Sequence, residues 1–530
     1  MTSMTTQNHG YYTAGRYTIS VHRELAPSWL DLAALVREQP SPRGGEGRPF
    51  RYLELGSGMG MGLCLIAAAH PEGQFLGVDF LAEHIVHARW LAAELGLANV
   101  RFLQADFLDL AAEPAPLVTA DGQGGAFAYV VAHGIFTWVA APVQDALLAV
   151  AARALQPGGL FYCSYNTLPG WLSRSPFQIL TLLELQHQNS ADPGPAFQRA
   201  LASVKALLGS ADEPSRLALA LPTLGAELER IESTRDLAYL CGEYANVGWQ
   251  PLYVGQMQPR CQAEGLSFLG SATLPELFDQ FLIEPARSLV RAEPNPLIRE
   301  SLFDLAINQS FRRDLFVKGR LPLPAPLRQE ALAAIRLQPL QAVAGPHADY
   351  VFLNSFGEFH ADPHLCQALE AQLGEGVCSI AQLALALGQE PEALLPGLAI
   401  LLDASRISLE RGAAAAAALG PARAANRRLR QLIQARAPYA HLVAPTSGGS
   451  ISLSLLEGLC LETIEQEVPE QDWPFCLLLG LQSTGAVLRD EGVVIEDPQV
   501  QQQKLVEACR RFRQEKLPLL QALGAIGALA

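Results

Sequence analysis

The residues able to do chemistry begin with an acid and a run of glycines, Glu54-Leu55-Gly56-Ser57-Gly58-Met59-Gly60. Leu53 and Leu55 alternate as in a short buried strand, and Leu63 to Ala69 reads as a helix starting after the turn. In a strand, glycine turn and helix unit, missing Cβ atoms let a ligand lie against bare backbone while helix N–H groups point at it. The spacing is not that of a dinucleotide site. Gly-x-Gly-x-x-Gly started at Gly56 puts its third glycine on Met61, and started at Gly58 puts it on Leu63. An acid followed by alternating glycines suits a ligand with no pyrophosphate and with a positive charge near the strand end. S-adenosylmethionine is such a ligand.

Two more acids fall in step with that turn. Asp79, followed by Phe80, ends a second strand about 25 residues after Glu54, the offset at which a carboxylate accepts both ribose hydroxyls. Asp106 follows a third strand, where it would accept the exocyclic amine of adenine with Phe107 against the ring. A single Asp at a strand end is as readily a helix cap or turn residue. Recurrence over three successive units points instead to a cofactor site of Glu54, Gly56, Gly58, Gly60, Asp79, Phe80, Asp106 and Phe107.

A parallel sheet must position these groups. Trp29 to Glu38 reads as an amphipathic helix, and Gln39 to Pro49, rich in Pro, Gly and Arg, as a loop. Strands are expected at Phe75 to Asp79, Val100 to Leu103, Phe127 to Ala132 and Leu160 to Tyr165, with helices at Leu81 to Leu95 and Val143 to Leu155. Pro157-Gly158-Gly159 reads as a turn. This alternation predicts a Rossmann-like, doubly wound α/β sheet with ligands at the carboxyl ends of its strands. Beyond Ser175 the pattern is helical, save for a short strand at Leu266 to Leu269 that is able to rejoin the sheet. Arg320 to Leu327 reads as a linker. Three short helices (Pro363 to Leu373, Ser379 to Leu387, Glu392 to Leu402) and a strand at Arg406 to Glu410 form a winged-helix-like pattern. Gln501 to Leu517 reads as a final helix stopped by Pro518. The expected domains are 1–180, which binds cofactor, 181–325, mostly helical, and 326–530, with the winged-helix-like part.

At 530 residues the chain exceeds one compact core. Its net charge of −15 argues against broad nucleic-acid binding and disfavours anionic membranes. Nine dispersed cysteines without a C-x-x-C pair read as reduced thiols, and neither a signal peptide nor an 18-residue apolar run is apparent. The expectation is a cytoplasmic protein. His360-x-Asp362-x-His364 has metal-capable side chains, but Pro363 interrupts it and a surface loop is the better reading, so no metal is expected. Arg423, Arg427, Arg428, Arg430 and Arg436 read as a solvated basic helix face. Glu392 to Leu402 holds no Lys or Arg, so it reads as packed against protein and not on DNA.

Residues 51 to 107 resemble class I S-adenosylmethionine-dependent methyltransferases. Val131-Ala132-His133-Gly134-Ile135-Phe136-Thr137-Trp138-Val139 and Ser164-Tyr165-Asn166-Thr167-Leu168-Pro169-Gly170-Trp171 resemble bacterial methyltransferases with a methyltransferase regulatory domain, a group that includes outer-membrane-protein lysine methyltransferases. Tyr239-Leu240-Cys241-Gly242-Glu243-Tyr244, Gln250-Pro251-Leu252-Tyr253 and Phe311-Arg312-Arg313-Asp314-Leu315-Phe316 extend the likeness. Two departures stand out. Gly242 replaces the family's histidine, and the N-terminal tyrosine pattern is matched only loosely by Tyr12 and Tyr17.

The resemblance implies methyl transfer from a sulfonium to an acceptor lone pair, with protein lysine preferred as acceptor and homodimer formation. His133 would orient the acceptor or act as base, besides touching cofactor. Tyr165 and Asn166 would position by hydrogen bonds, and Trp138 and Trp171 would wall the pocket or simply pack. A small-molecule acceptor is a second reading. A cofactor-sensing scaffold without turnover, motivated by Gly242, is a third.

Overall fold

A computed structural model describes residues 19–528 apart from 123–125, 189–191, 211, 235–236, 342–346, 375 and 491–492. Tyr11, Tyr12 and Tyr17 lie outside the described residues. The elements in order are α1 (Pro27–Val36), β1 (Phe50–Leu55), α2 (Met61–Ala69), β2 (Gly73–Asp79), α3 (Ala82–Glu94), β3 (Val100–Gln104), α4 (Phe107–Ala112), β4 (Phe127–Ala132), α5 (Ala141–Ala154) and β5 (Leu155–Asn166). Helices α6 (Ser175–Gln188), α7 (Gly194–Leu208), α8 (Arg216–Ala220), α9 (Leu224–Ser233), α10 (Leu237–Tyr244) and α11 (Val254–Ala263) follow. Then come β6 (Leu266–Ser271), α12 (Ala286–Ala292), α13 (Pro296–Ala306) and β7 (Phe311–Lys318).

The sheet has seven strands in the order β3-β2-β1-β4-β5-β7-β6. The first five are parallel, and β7 runs antiparallel to both β5 and β6. Every residue of β4 is buried, and so is nearly all of β1 and β2, as expected of parallel strands covered on both faces. Helices α1, α2 and α3 supply apolar residues to one face, and α4, α5 and α11 to the other. A third apolar cluster, from Trp138 and Trp171 to Phe197, Leu228 and Tyr244, joins α6, α7, α9 and α10 beside the carboxyl end of the sheet.

Several expectations shift. Helix α2 begins at Met61, two residues early, because Gly60 takes the left-handed conformation that starts it. Pro157, Gly158 and Gly159 belong to β5, where pairing with β4 is irregular. The helical pattern from Leu224 to Ala245 resolves into two helices, α9 and α10. The sheet does not end with residue 180: β6 rejoins it where a short strand was expected, and β7 links it to β5 from within the stretch expected to be helical. The charges of Arg312 and Asp314 hid β7. Both are buried, and they pair with each other at 2.8 Å.

The C-terminal helices Pro363–Leu373, Ile380–Leu387 and Pro391–Asp403 are present. Pro391–Asp403 is mostly buried, as its apolar sequence demands. Strand Ile407–Glu410 pairs antiparallel with Arg336–Pro339, then leads directly into the helix Ala413–Gln434 instead of turning back as a wing. That helix is docked and not merely solvated: Arg428 pairs with Glu94, and Arg430 with Glu465. Asp362 caps Pro363–Leu373 through the N–H groups of His364 and Leu365. Pro518 lies at the start of a last helix, Leu517–Ala522, and does not terminate the one before it. Among the described residues no single helix is long and apolar enough to cross a membrane.

Candidate active site

The glycine turn is held open by backbone that side chains cannot follow. Gly56 has φ +77°, and a Cβ there would lie 1.6 Å from Ile135 Cδ1. Gly60 has φ +78°, with a Cβ meeting that of Ala88 at 2.5 Å. The N–H groups of Gly56 and Ser57 donate to Val78 O at 2.7 and 2.9 Å, fastening the turn to the end of β2. Asp79 completes the clamp: one carboxylate oxygen accepts from Gly58 N–H at 2.9 Å, and the other from Leu81 N–H at 2.9 Å. His84 Nδ1 stands 3.3 Å from that second oxygen. His87 bridges outward, its ring nitrogens 2.8 Å from Met59 O and 2.8 Å from Tyr439 Oη.

Two adjoining chambers share Gly56. The first is bordered by Asp79, Phe80, His84, Asp106, Phe107 and Ile135. Its two acids stand at the ends of β2 and β3, the places expected for ribose and adenine. Asp106 also caps α4, accepting from Leu108 N–H at 2.8 Å, so capping and site lining coexist in one residue. The second chamber, about 400 Å³, is bordered by Glu54, Gly58, Gly60, His133 and Asn166. Trp138 and Trp171 wall it, while they also pack on Trp249.

Electrostatics separate the groups. Burial, with the charge of Asp79 adding to it, pushes the Glu54 carboxyl up to about 8. Burial holds the His133 imidazole well below its ordinary 6.5, helped by His22 and Arg313. His133 is therefore neutral at pH 7. Its ring stacks on His22 at 3.7 Å, and Nδ1 lies 2.9 Å from Tyr162 Oη. The buried Nδ2 of Asn166 has no acceptor among the described residues; Ser57 Oγ and Trp171 Nε1 are likewise without partners there. Orphaned buried polar groups beside a cavity are what a polar ligand satisfies.

Tyr165 is the exception among the expected site residues. Its hydroxyl donates to Asp314 at 2.6 Å, inside a buried network with Arg312, and it borders neither chamber. Alternation along β5 sends neighbouring side chains to opposite faces, so Asn166 reaches the cavity and Tyr165 the core. The sequence reading missed His22, a lone histidine before α1 with no motif to mark it. It also assigned no role to Arg174, Tyr239 and Glu243, which border the second chamber. The last two lie in a quoted motif, which was the available signal. Among the described residues no cluster of metal-capable side chains occurs.

The cradle fits an adenosyl sulfonium: bare backbone at Gly56, acids at both ends and unsatisfied donors opposite. Sheet order and site together define a class I S-adenosylmethionine-dependent methyltransferase. Family comparison refines this, matching residues 48–193 to a methyltransferase domain and 236–318 to a predicted methyltransferase regulatory domain. The chain thus pairs a methyltransferase domain with a methyltransferase regulatory domain in these two stretches. An uncharacterised protein from Synechocystis sp. is 27% identical over 98% of this chain and 99% of its own length. An uncharacterised protein from Rickettsia prowazekii is 32% identical, over 27% of this chain and 52% of its own. In fold the chain resembles PKMT2 from Rickettsia typhi in complex with AdoHcy, with TM-score 0.67 and 20% identity over 95% of this chain and 99% of that one.

Proposed function

We propose that the chain methylates the ε-amine of lysine in protein substrates. The observation that carries this reading is the placement of Gly56 between a chamber with adenosine-type acids and a chamber with His133, Asn166 and further carboxyls. The likeness to outer-membrane-protein lysine methyltransferases in the motifs around His133 and Asn166 supports lysine in particular. When bound, S-adenosylmethionine supplies a methyl group activated on a positively charged sulfur. The chain's own residues do the rest. Asp79 and Asp106 anchor one end, Glu54 offers negative charge beneath the turn, and the tryptophans exclude water from the second chamber. An amine reacts only through its lone pair, so it must lose its proton; a buried site favours that neutral form. His133, itself neutral, orients the amine, and Asn166 Nδ2 is a free donor for a substrate carbonyl.

Incubating the protein with methyl-labelled S-adenosylmethionine and separated protein and small-molecule fractions of a bacterial lysate tests this. Acid hydrolysis of the labelled protein should yield methylated lysine. Label confined to small molecules, or to another amino acid, refutes the reading.

A further inference from the structure

Helix α10 places Tyr239 and Glu243 four residues apart, on one face, and both border the second chamber with Trp171, Arg174 and His133. The cations nearest Glu243 are already engaged. Arg174 forms an ion pair with Glu227 at 3.0 Å and lies over the Trp171 ring at 4.4 Å, and Arg230 also pairs with Glu227. Tyr244, one residue on, donates its hydroxyl to Glu227 at 3.0 Å. Glu227 is thus the hub of the local charges, and Glu243 is the carboxyl turned to the cavity. Beside it, Gly242 leaves open space, with nothing within 4 Å of an added Cβ. Trp138 and Trp171 wall the chamber, apolar surface suited to an alkyl chain.

We propose that Glu243 receives the acceptor's ammonium group and takes its proton, which makes the second chamber a primary-alkylamine site. In that step one N–H bond of the ammonium breaks and an O–H bond forms on Glu243. An ammonium and a carboxylate become a neutral amine and a carboxylic acid, and the nitrogen keeps the electron pair it needs for attack. Burial pushes Glu243 up to about 7, against the pull of Arg174 and Arg230 and with Glu227 adding to it, so the carboxyl is matched to a proton exchange near neutrality. Tyr239, His133, His22 and Glu54 are the further titratable groups that border the chamber, and the Tyr239 hydroxyl is raised by burial and by Glu243. The assignment rests on the amine-acceptor reading above.

The test is calorimetric titration of the full chain, saturated with S-adenosylhomocysteine, with n-butylamine and with uncharged n-pentanol. Wild type should prefer butylamine. Glu243→Gln should weaken butylamine by about tenfold or more and leave pentanol unchanged, while Glu243→Asp, which keeps the charge, should retain the preference. Equal butylamine affinity in wild type and Glu243→Gln, or no preference over pentanol in wild type, overturns the proposal. Affinity for S-adenosylmethionine should match in all three proteins. The acidic limb of kcat/KM near pH 7 should vanish in Glu243→Gln. If lysine is labelled equally by wild type and Glu243→Gln, the role of Glu243 fails and the lysine reading stands. If Glu243 controls butylamine but no lysine takes label, the reverse holds.

Discussion

Glu54 gives the sharpest test of how the cofactor is held. Its carboxyl sits under the glycine turn, buried and beside Asp79, and is pushed up to about 8. At pH 7 about nine in ten molecules of free protein therefore carry it protonated. A bound cation at that end of the site favours the ionised form, so binding should release close to one proton at pH 7. The sign follows directly: an acid raised in the free protein and lowered in the complex makes affinity climb with pH and level off above about 8. If the carboxylate is fully ionised in the complex, affinity for S-adenosylmethionine should rise roughly fiftyfold between pH 6 and pH 8. Calorimetry in buffers of different ionisation enthalpy reads the proton count, and the same titrations across pH read the slope. Glu54→Gln should flatten the slope and abolish the release. A variant that keeps the wild-type slope, or a wild type that releases no proton, refutes the reasoning.

Asp79→Ala should weaken S-adenosylmethionine binding by about tenfold or more, since it removes the ribose acceptor and the anchors of Gly58 and Leu81; unchanged calorimetric affinity would refute the assignment. His133→Ala should bind cofactor near normally and transfer methyl slowly, and equal turnover would make the histidine structural. Because burial depresses His133, its neutral form contributes stability that is present above about 6.5 and lost as pH falls below that, so the acid-side drop in unfolding midpoint should shrink in His133→Ala. Tyr165→Phe should leave cofactor affinity alone and cost about 1–3 kcal/mol of stability in urea unfolding, because Asp314 loses a buried donor.

The nucleotide-binding half of the fold was legible because each parallel strand is a short apolar run closed by a chemically useful residue. Asp79, Asp106 and His133 each end or follow such a run, Glu54 is the last residue but one of β1, and the acids border the two chambers. The antiparallel strand β7 was not legible as a strand, since its Arg312 and Asp314 look like surface residues until their mutual pairing is seen. Tyr165 misled for a related reason. A motif reports which residues recur together and not which face of a strand each one takes. Glu243 stood in a recurring motif that gave it no role, and His22 depends on contacts distant in sequence, which no local spacing encodes.

Arg411 has a consequence for anyone dissecting this enzyme. Its guanidinium, fully buried, reaches back to Glu46, Glu72 and the carbonyl of Ala69, and one continuous apolar core runs from Leu30 and Leu65 to Leu429 and Leu442. Cutting the chain after residue 325 would strip the lid from the outer side of α2, wet a large oily face and leave Glu46 and Glu72 to share Arg43. The shortened protein should clump when expressed, and heat should melt the intact enzyme's front and rear portions in a single step.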